Sequence, residues 1–282
     1  MLYDINGTKV GSVYGCDCEG TDSAYRINGK YAFPVLKVMS YNVRWFEEIN
    51  SQQAMQSQII DGYDADLIGL QEISYNGKIP TVGANVLGAY STIKLSNHKN
   101  YLAVASKNIE LSDFTASDFV SQDPDDATEY GETRAYTKCY IQFNGKHICW
   151  INTHLAVLND SYKYAQMSEV FTMAESEDYV IITGDFNSQH QTFSDSDYLN
   201  MYKMFVDAGY NLITNSPTSG IVRTHSTSTF VTSLREMSTP TDCIIVSGNI
   251  GISDSVFDTT KFSYLDGNPI DHIAMVATLE VT

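Results

Sequence analysis

Five short signatures in the sequence place a polar, chemically capable side chain directly after an apolar, strand-like run. They end at Asn42, at Glu72, at His154, at Asp185-Phe186-Asn187 and at Asp271-His272. Strands that end together expose their last side chains at one rim of a sheet, and active sites of sheet enzymes collect at such rims. Carboxylates, amides and histidines, with no serine or thiol nucleophile among them, suit a hard divalent cation and hydrolysis by water.

Asn42, Glu72 and Asp271 are candidate metal ligands. Carboxylate and neutral amide oxygens are typical ligands of Mg²⁺ or Mn²⁺, which retain several waters. Glu72 follows a run of apolar residues and therefore leaves the core with little freedom. A lone glutamate at a strand end is more simply a solvated loop acid. That alternative weakens because four other strand ends carry matching polar groups.

Asp185 and Asn187 are candidates for activating a water molecule. Residues two apart in an extended segment point to the same side, so one carboxylate and one amide could hold a water and take its proton. The alternative is an ordinary turn, which Gly-Asp and Asn-Ser both favour. The β-branched run before Gly184 indicates an abrupt strand exit and favours the active-site interpretation.

The remaining candidates are two histidines, an aspartate and two arginines. His154 and His272 could donate protons or bind phosphoryl oxygens, although a single histidine at a strand end is more often structural. Asp242 precedes a short apolar strand and could accept a hydrogen bond from one imidazole, which would fix its tautomer. Arg134 and Arg44 could clamp phosphate, or could form surface salt bridges.

The elements that must position these residues alternate between strand and helix from Leu36 onward. Apolar periodicity predicts helices over 47–62, 161–177 and 198–209. Asn144-Gly145 predicts a hairpin between strands 134–143 and 146–154, in which Cys139 and Cys149 face opposite sides. The acidic segment 112–132 and the Ser/Thr-rich segment 215–240 are expected to be long exposed loops.

Composition sets limits on the class of protein. A chain of 282 residues with 43% hydrophobic content can form one large core. The formal net charge of −17 and the lack of a Lys/Arg-rich stretch count against a binder driven by long phosphate contacts. No apolar run is long enough to span a membrane. The first residues lack a secretion signal, which favours a cytoplasmic protein unless a signal was removed.

Residues 1–33 differ from the rest and are expected to form a small β-rich N-terminal appendage to a catalytic domain over 34–282. The pattern Tyr-x-Ile-Asn-Gly occurs at residues 3–7 and again at 25–29, and Asn-Gly favours tight hairpin turns. These β-elements could simply extend a sheet edge. Alternatively they could dock the protein onto a larger assembly, such as a phage or cell-surface structure.

The ordered motifs together resemble those of the endonuclease/exonuclease/phosphatase superfamily. The matching segments are Ser-Tyr-Asn-Val-Arg (40–44), Leu-Gln-Glu (70–72), Asn-Thr-His-Leu (152–155), Gly-Asp-Phe-Asn (184–187), the Asp242 segment and Asp271-His272. The resemblance runs from about Leu36 to Leu279. It implies an α/β fold, a four-layer α/β sandwich with two packed mixed β-sheets flanked by helices.

The resemblance also assigns roles to the metal and water residues. It implies that Asn42 and Glu72 bind Mg²⁺ or Mn²⁺ and that Asp271 helps to bind or steer the cation. Asp185 would activate water together with Asn187.

The histidines and arginines receive roles in the same way. His272, oriented by Asp242, would contact the scissile phosphate, and His154 would assist the departing oxygen. Arg134 would grip phosphate, and Arg44 matches an arginine of the deoxyribonuclease branch that contacts the nucleic-acid backbone.

The sequence therefore predicts a divalent-metal-dependent phosphodiesterase, a phosphoric ester hydrolase that uses activated water. DNA is the favoured substrate, which makes a nuclease the leading expectation. A first alternative is a phosphatase or phosphodiesterase acting on a phosphorylated small molecule or a phospholipid head group. A second alternative is a non-catalytic binding module on the same fold.

Overall fold

The computed structural model describes most of the chain beyond the N-terminal region. The described residues are 2–3, 9–11, 25–27, 30–32, 34–43, 50–73, 87–88, 90–95, 102–129, 133–187, 202–213, 215–216, 220–221, 241–257, 272 and 274–282.

Strands predominate over helices in these residues. The strands are β1 (Leu2–Tyr3), β2 (Lys9–Gly11), β3 (Tyr25–Ile27), β4 (Lys30–Ala32), β5 (Val35–Asn42), β6 (Leu67–Gln71), β7 (Thr92–Leu95), β8 (Ala103–Ser106), β9 (Ser112–Asp118), β10 (Ala135–Phe143), β11 (Lys146–His154), β12 (Val180–Asp185), β13 (Asn211–Ile213), β14 (Asn215–Ser216), β15 (Gly220–Ile221), β16 (Asp242–Val246), β17 (Ile250–Phe257) and β18 (Met275–Val281). The helices are α1 (Asn50–Tyr63), α2 (Pro124–Glu129), α3 (Asp160–Ala174) and α4 (Lys203–Asp207).

Two six-stranded sheets share one design. Sheet A has the order β17-β18-β5-β6-β8-β7, and sheet B has the order β13-β16-β12-β11-β10-β9. In each sheet the two central strands, β5 with β6 and β11 with β12, run parallel. The outer neighbours pair antiparallel to them. Both sheets are therefore mixed, and each contains a parallel pair whose carboxyl ends lie at the same rim.

The sheets pack face to face, and alternation along the strands of sheet B separates two apolar environments. Trp150, Ile181 and Ile244 face inward and share one cluster with Val38 and Leu67 of sheet A. The intervening residues form a second cluster with α3; it includes Cys149, Ile151, Val180, Ile182, Cys243, Ile245, Met167, Val170 and Ala174. This period of two is what a strand buried on both faces requires.

Helices cover the outer faces of both sheets. Ile59 and Ile60 of α1 belong to the cluster that contains sheet A, and Met167 and Val170 of α3 pack on sheet B. Helix, sheet, sheet and helix make four layers. The predicted four-layer α/β sandwich with two packed mixed sheets is confirmed.

The predicted hairpin has the expected register. Phe143 pairs with Lys146, and Tyr140 pairs with Cys149. Cys139 therefore faces the inter-sheet core, Cys149 faces α3, and neither thiol forms a disulfide.

The acidic segment 112–132 is not the exposed loop that its composition suggested. It contains the edge strand β9 and the short helix α2, and Asp123 and Asp126 are buried. The predicted helix over 198–209 is shorter in the described residues, where α4 covers only Lys203–Asp207.

The N-terminal strands form two small antiparallel pairs, β1 with β2 and β3 with β4. The division at residue 33 and the docking role of residues 1–33 stay predictions. None of the helices in the described ranges is long and apolar enough to cross a membrane.

Candidate active site

The parallel strands of the two sheets bring four of the predicted residues to a common rim. Asn42 is the last residue of β5, and Glu72 directly follows β6. His154 and Asp185 are the last residues of β11 and β12, and they lie side by side in the parallel register. Because the sheets are packed face to face, these four chain positions converge.

Antiparallel neighbours bring three further residues to the same rim from the opposite direction. Asp242 opens β16 and pairs with Asp185. Arg134 precedes β10, whose first residue pairs with His154. His272 precedes β18, which runs antiparallel to β5.

The carboxylate of Asp185 lies at the centre of the cluster. Its Oδ2 accepts a hydrogen bond from Asn42 Nδ2 at 2.9 Å and lies 3.5 Å from Nε2 of His154 and 3.5 Å from Nε2 of His272. Its Oδ1 accepts from the backbone N–H of Asn187 at 2.9 Å. Asp185 therefore contacts groups from both sheets while being almost completely buried.

Burial raises the pKa of Asp185 to about 6, and the neighbouring Asp242 carboxylate adds to this rise. His272, the amide of Asn42 and the backbone N–H of Asn187 act in the opposite direction because they stabilise the charged form. A carboxylate that exchanges its proton near pH 6 suits general-base chemistry close to neutral pH.

The donor set fits a divalent cation. Ligand atoms of Glu72, His154 and Asp185 all lie within 4.8 Å of one another, and so do those of Asp185, Asp242 and His272. Carboxylate oxygens suit Mg²⁺ or Mn²⁺, and the addition of an imidazole suits Mn²⁺ or another first-row transition metal.

Asn42 and Glu72 have features that bear on the ligand roles predicted for them. Asn42 Nδ2 donates to both Glu72 Oε1 at 3.0 Å and Asp185 Oδ2, so its amide nitrogen lies between the two carboxylates. For Asn42 to present its oxygen to an ion there, the amide must turn about its last side-chain bond. Glu72 adopts a left-handed φ of 52°, which is uncommon for a residue of this type and indicates local backbone strain.

His272 is oriented by a contact of its Nδ1, the ring nitrogen that does not face Asp185. Its Nδ1 lies 2.9 Å from Asp242 Oδ2, which also accepts from Thr241 Oγ1 at 3.0 Å. An Nδ1–H donated to Asp242 leaves Nε2 directed at Asp185. Asp242 thus contacts an imidazole in the way that the sequence suggested for it.

Asn187 is held by its own geometry. It has a φ of 46°, which asparagine tolerates better than most residues, and its Nδ2 donates to Leu155 O at 2.8 Å. Its backbone N–H is thereby fixed on Asp185.

Comparison with solved structures identifies the fold. An endonuclease/exonuclease/phosphatase from Bacteroides vulgatus is 16% identical, with a TM-score of 0.67 over 88% of this chain and 100% of that chain. The human Nocturnin catalytic domain with bound sulfate anion is 16% identical, with a TM-score of 0.63 over 88% and 95%. D. rerio TDP2 complexed with single strand DNA product is 15% identical, with a TM-score of 0.65 over 88% and 99%.

The chain has the endonuclease/exonuclease/phosphatase fold. The resemblance read from the motifs is thereby confirmed at the level of the fold. No protein-family model matches the sequence, and no curated protein matches it.

Two predicted residues of this fold's rim, Arg44 and Asp271, lie outside the described residues. Their roles stay predictions. The other eight candidate site residues are all described and all lie at the rim.

Sequence reasoning missed a buried polar bridge beneath the rim. Asn152 Nδ2 donates to Leu70 O at 2.9 Å and to Ala103 O at 3.1 Å, across the gap between the sheets. Its Oδ1 accepts from Gln71 Nε2 at 2.7 Å and from Thr183 Oγ1 at 3.0 Å. The bridge ties sheet B to the residues directly before Glu72. The only signal for it was the presence of Gln71 and Asn152 in apolar strands.

Sequence reasoning also missed Asp126. Its Oδ2 accepts from Arg134 Nε at 2.9 Å, and both side chains are buried. The acidic character of its segment concealed this residue, because a buried acid cannot be told from a solvated one without its partner.

Proposed function

We propose that this protein is a divalent-metal-dependent phosphodiesterase that hydrolyses a phosphate ester by attack of an activated water. The observation that supports this most strongly is the convergence on Asp185 Oδ2 of Asn42, His154 and His272, which come from separate segments of the chain at the rims of both sheets. Such a cluster is costly to bury, since each charge loses solvation, and it has no evident structural purpose.

Glu72 would hold the cation, with Asn42 as a second ligand once its amide has turned, and Asp271 would assist them. A Mg²⁺ or Mn²⁺ ion at this position supplies charge neutralisation for the phosphoryl oxygens. The strained φ of Glu72 supports a role other than packing, because such outliers concentrate at functional sites.

Asp185 would take the proton of the attacking water at Oδ2, because the backbone N–H of Asn187 engages Oδ1, whereas the turn of the Asn42 amide toward the cation would free Oδ2. Asn187 would help to orient that water. A pKa of about 6 leaves Asp185 mostly charged, and so able to accept a proton, at neutral pH.

The two histidines would act on the phosphoryl group and the leaving oxygen. His272, held through Nδ1 by Asp242, would donate from Nε2 to a phosphoryl oxygen. His154, whose Nε2 also lies 3.5 Å from Asp185 Oδ2, would assist the departing oxygen.

DNA is the substrate that we favour, so the proposed activity is that of a nuclease. The likeness to TDP2 complexed with single strand DNA product supports this choice. Arg44, which lies outside the described residues, would contact the backbone of the nucleic acid.

A small phosphorylated molecule or a phospholipid head group is the second candidate. The formal net charge of −17 favours it, because a long polyanion would be repelled by the rest of the surface.

The experiment that tests the proposal measures plasmid nicking alongside a panel of small phosphodiesters and phosphomonoesters. Each assay contains Mg²⁺ or Mn²⁺, with or without a chelator. Asp185→Asn is the test variant. Asp207→Asn is the matched control, because Asp207 is exposed and lies on α4, away from the rim.

We expect metal-dependent hydrolysis by the wild-type protein and the control and a loss of at least ~10²-fold in the test variant. Nicking without hydrolysis of the small esters would support DNA, and the reverse would support the second candidate. Absence of all activity, together with no binding of millimolar metal by calorimetry, would instead indicate a binding module and refute the proposal.

A further inference from the structure

Arg134 is buried beside a buried acid. Its side chain is only 2% exposed and that of Asp126 is 1% exposed, and their Nε–Oδ2 distance is 2.9 Å. A guanidinium that binds a substrate phosphate has to present its N–H groups to the cleft. The burial of Arg134 suggests a different task.

Asp126 accepts two further hydrogen bonds besides the one from Arg134. Its Oδ2 also accepts from the backbone N–H of Val157 at 3.0 Å, and its Oδ1 accepts from that of Leu158 at 3.2 Å. The carboxylate thereby ties α2 to the segment that directly follows His154.

The backbone of Arg134 is fixed in the same way. Its N–H donates to Gln122 Oε1 at 2.9 Å, and its carbonyl oxygen accepts from Gln122 Nε2 at 2.7 Å and from the N–H of Phe119 at 3.1 Å. Backbone and side chain are both held, so the guanidinium has a defined position.

That position is against the ring of His154. Arg134 Nη1 lies 3.3 Å from Nδ1 and 3.2 Å from Nε2 of His154. The same Nε2 lies 3.5 Å from Asp185 Oδ2 and 3.9 Å from Glu72 Oε1. The imidazole therefore has the guanidinium and both carboxylates as immediate neighbours, and these contacts restrict its rotation.

We propose that Asp126 and Arg134 are positioning residues that hold His154 toward Asp185 and Glu72, and that Arg134 is not a ligand of the substrate phosphate. Asp126 acts through Arg134, and Arg134 acts through His154. The kinetic consequences rest on the proposed hydrolase function, whereas the orientation of the ring does not.

The first test separates kcat from KM with bis(p-nitrophenyl) phosphate and Mn²⁺ as the probe. Asp126→Asn and Arg134→Lys are compared with Asp125→Asn, an exposed neighbour on the same helix. We expect both test variants to lose ~10–100-fold in kcat with KM unchanged, because residues that orient an active-site group cost about this much. The control should match the wild-type protein.

A second expectation concerns additivity. If the two residues act as one unit, the Asp126→Asn/Arg134→Lys double variant should have the kcat of the single variants rather than the product of their losses. A phosphate-binding arginine would behave differently: Arg134→Lys would raise KM, and Asp126→Asn would leave kcat near the wild-type value. Either of those results would overturn the inference.

A further variant guards against simple misfolding. Removing one partner of a buried ion pair is strongly destabilising, whereas replacing both partners with apolar residues is often tolerated. We expect the Asp126→Leu/Arg134→Met double variant to fold and to show the same fall in kcat. Wild-type kcat in this folded variant would contradict the proposal.

NMR signals of the His154 ring give a readout that does not depend on activity. The signals are assigned with His154→Gln, and their ¹⁵N shifts are compared at one pH in metal-free protein. We expect Asp126→Asn to move the His154 signals and Asp125→Asn to leave them in place. Unmoved signals would refute the positioning role, whereas moved signals in a protein with no hydrolytic activity would refute only the proposed function.

Discussion

Replacing Asp185 with asparagine should stabilise the metal-free protein at neutral pH while removing its activity. Burial raises the pKa of this carboxyl from 3.8 to about 6. At 1.36 kcal/mol per pKa unit, the charged carboxylate costs the folded state about 3 kcal/mol relative to the protonated form. The introduced amide is neutral at every pH and does not carry that cost.

The sign follows from the direction of the shift. A folded-state pKa above the unfolded value means that the folded protein binds the proton more tightly, so the wild-type protein loses stability as pH rises from about 4 to about 6. About 1 kcal/mol of this loss falls between pH 5 and pH 7.5. The solubility of a protein is lowest near its pI, and both pH values lie above the sequence pI of about 4.5.

The assay is urea unfolding followed by circular dichroism, in chelator, at pH 5 and pH 7.5. The free energy of unfolding of Asp185→Asn, relative to the wild-type protein, should increase by about 1 kcal/mol between the two pH values. Asp207→Asn, whose parent side chain is 60% exposed, should differ from the wild-type protein by less than ~0.5 kcal/mol at both. A difference in unfolding free energy between Asp185→Asn and the wild-type protein that does not change with pH would refute the proposed cost of the buried charge.

Three other predictions concern residues at the rim of the candidate active site or directly beneath it. Glu72→Gly should raise the free energy of unfolding by about 1 kcal/mol, because glycine adopts the left-handed φ of 52° without strain. The same substitution should abolish the increase in Tm on adding Mg²⁺. A lower free energy of unfolding in Glu72→Gly would contradict the backbone strain. Gly69→Ala should lower the free energy of unfolding in urea by ~3 kcal/mol or more, because the added methyl group would overlap the inter-sheet polar bridge. The control Gly62→Ala has open space around it in α1 and should raise the free energy of unfolding by about 0.5–1 kcal/mol. Equal effects of the two substitutions would refute the close approach of the sheets at Gly69. Asp242→Asn should reduce kcat for phosphodiester hydrolysis by ~10–100-fold because His272 loses its anionic partner, and wild-type kcat would argue against that orientation.

The strands that position the site could be predicted because they are buried on both faces. Runs such as Val180-Ile181-Ile182 are apolar and β-branched, and their ends are marked by an abrupt change to polar residues. The hairpin register around Asn144-Gly145 followed from turn geometry alone. The local sequence pattern was therefore sufficient to predict these strands and this turn.

Elements at the edge of a sheet could not be predicted in the same way. β9 has the sequence Ser-Asp-Phe-Thr-Ala-Ser-Asp and exposes alternate residues, so its composition is that of an acidic loop. Pairing with β10 supplies the hydrogen bonds that make it a strand. That information lies in the tertiary structure and not in the segment.

The support beneath the site was hidden for a related reason. Asn152 bonds to Leu70, 82 positions away in the sequence. Asp126 accepts hydrogen bonds from the backbone N–H groups of Val157 and Leu158, which are 31 and 32 positions away. A side chain whose partners are this distant in the sequence carries no local signal. The candidate catalytic residues could be found because each lies in a recognisable sequence motif. The residues that hold them in place lie near them only in the folded structure.

The most direct test of the central claim is an anomalous diffraction map of crystals soaked in Mn²⁺. We expect a peak within ~2–2.3 Å of a Glu72 carboxylate oxygen, adjacent to Asp185 and Asn42, in a protein that hydrolyses phosphodiesters only with metal. A peak elsewhere, or none at this rim in a protein whose hydrolysis is Mn²⁺-dependent, would contradict it.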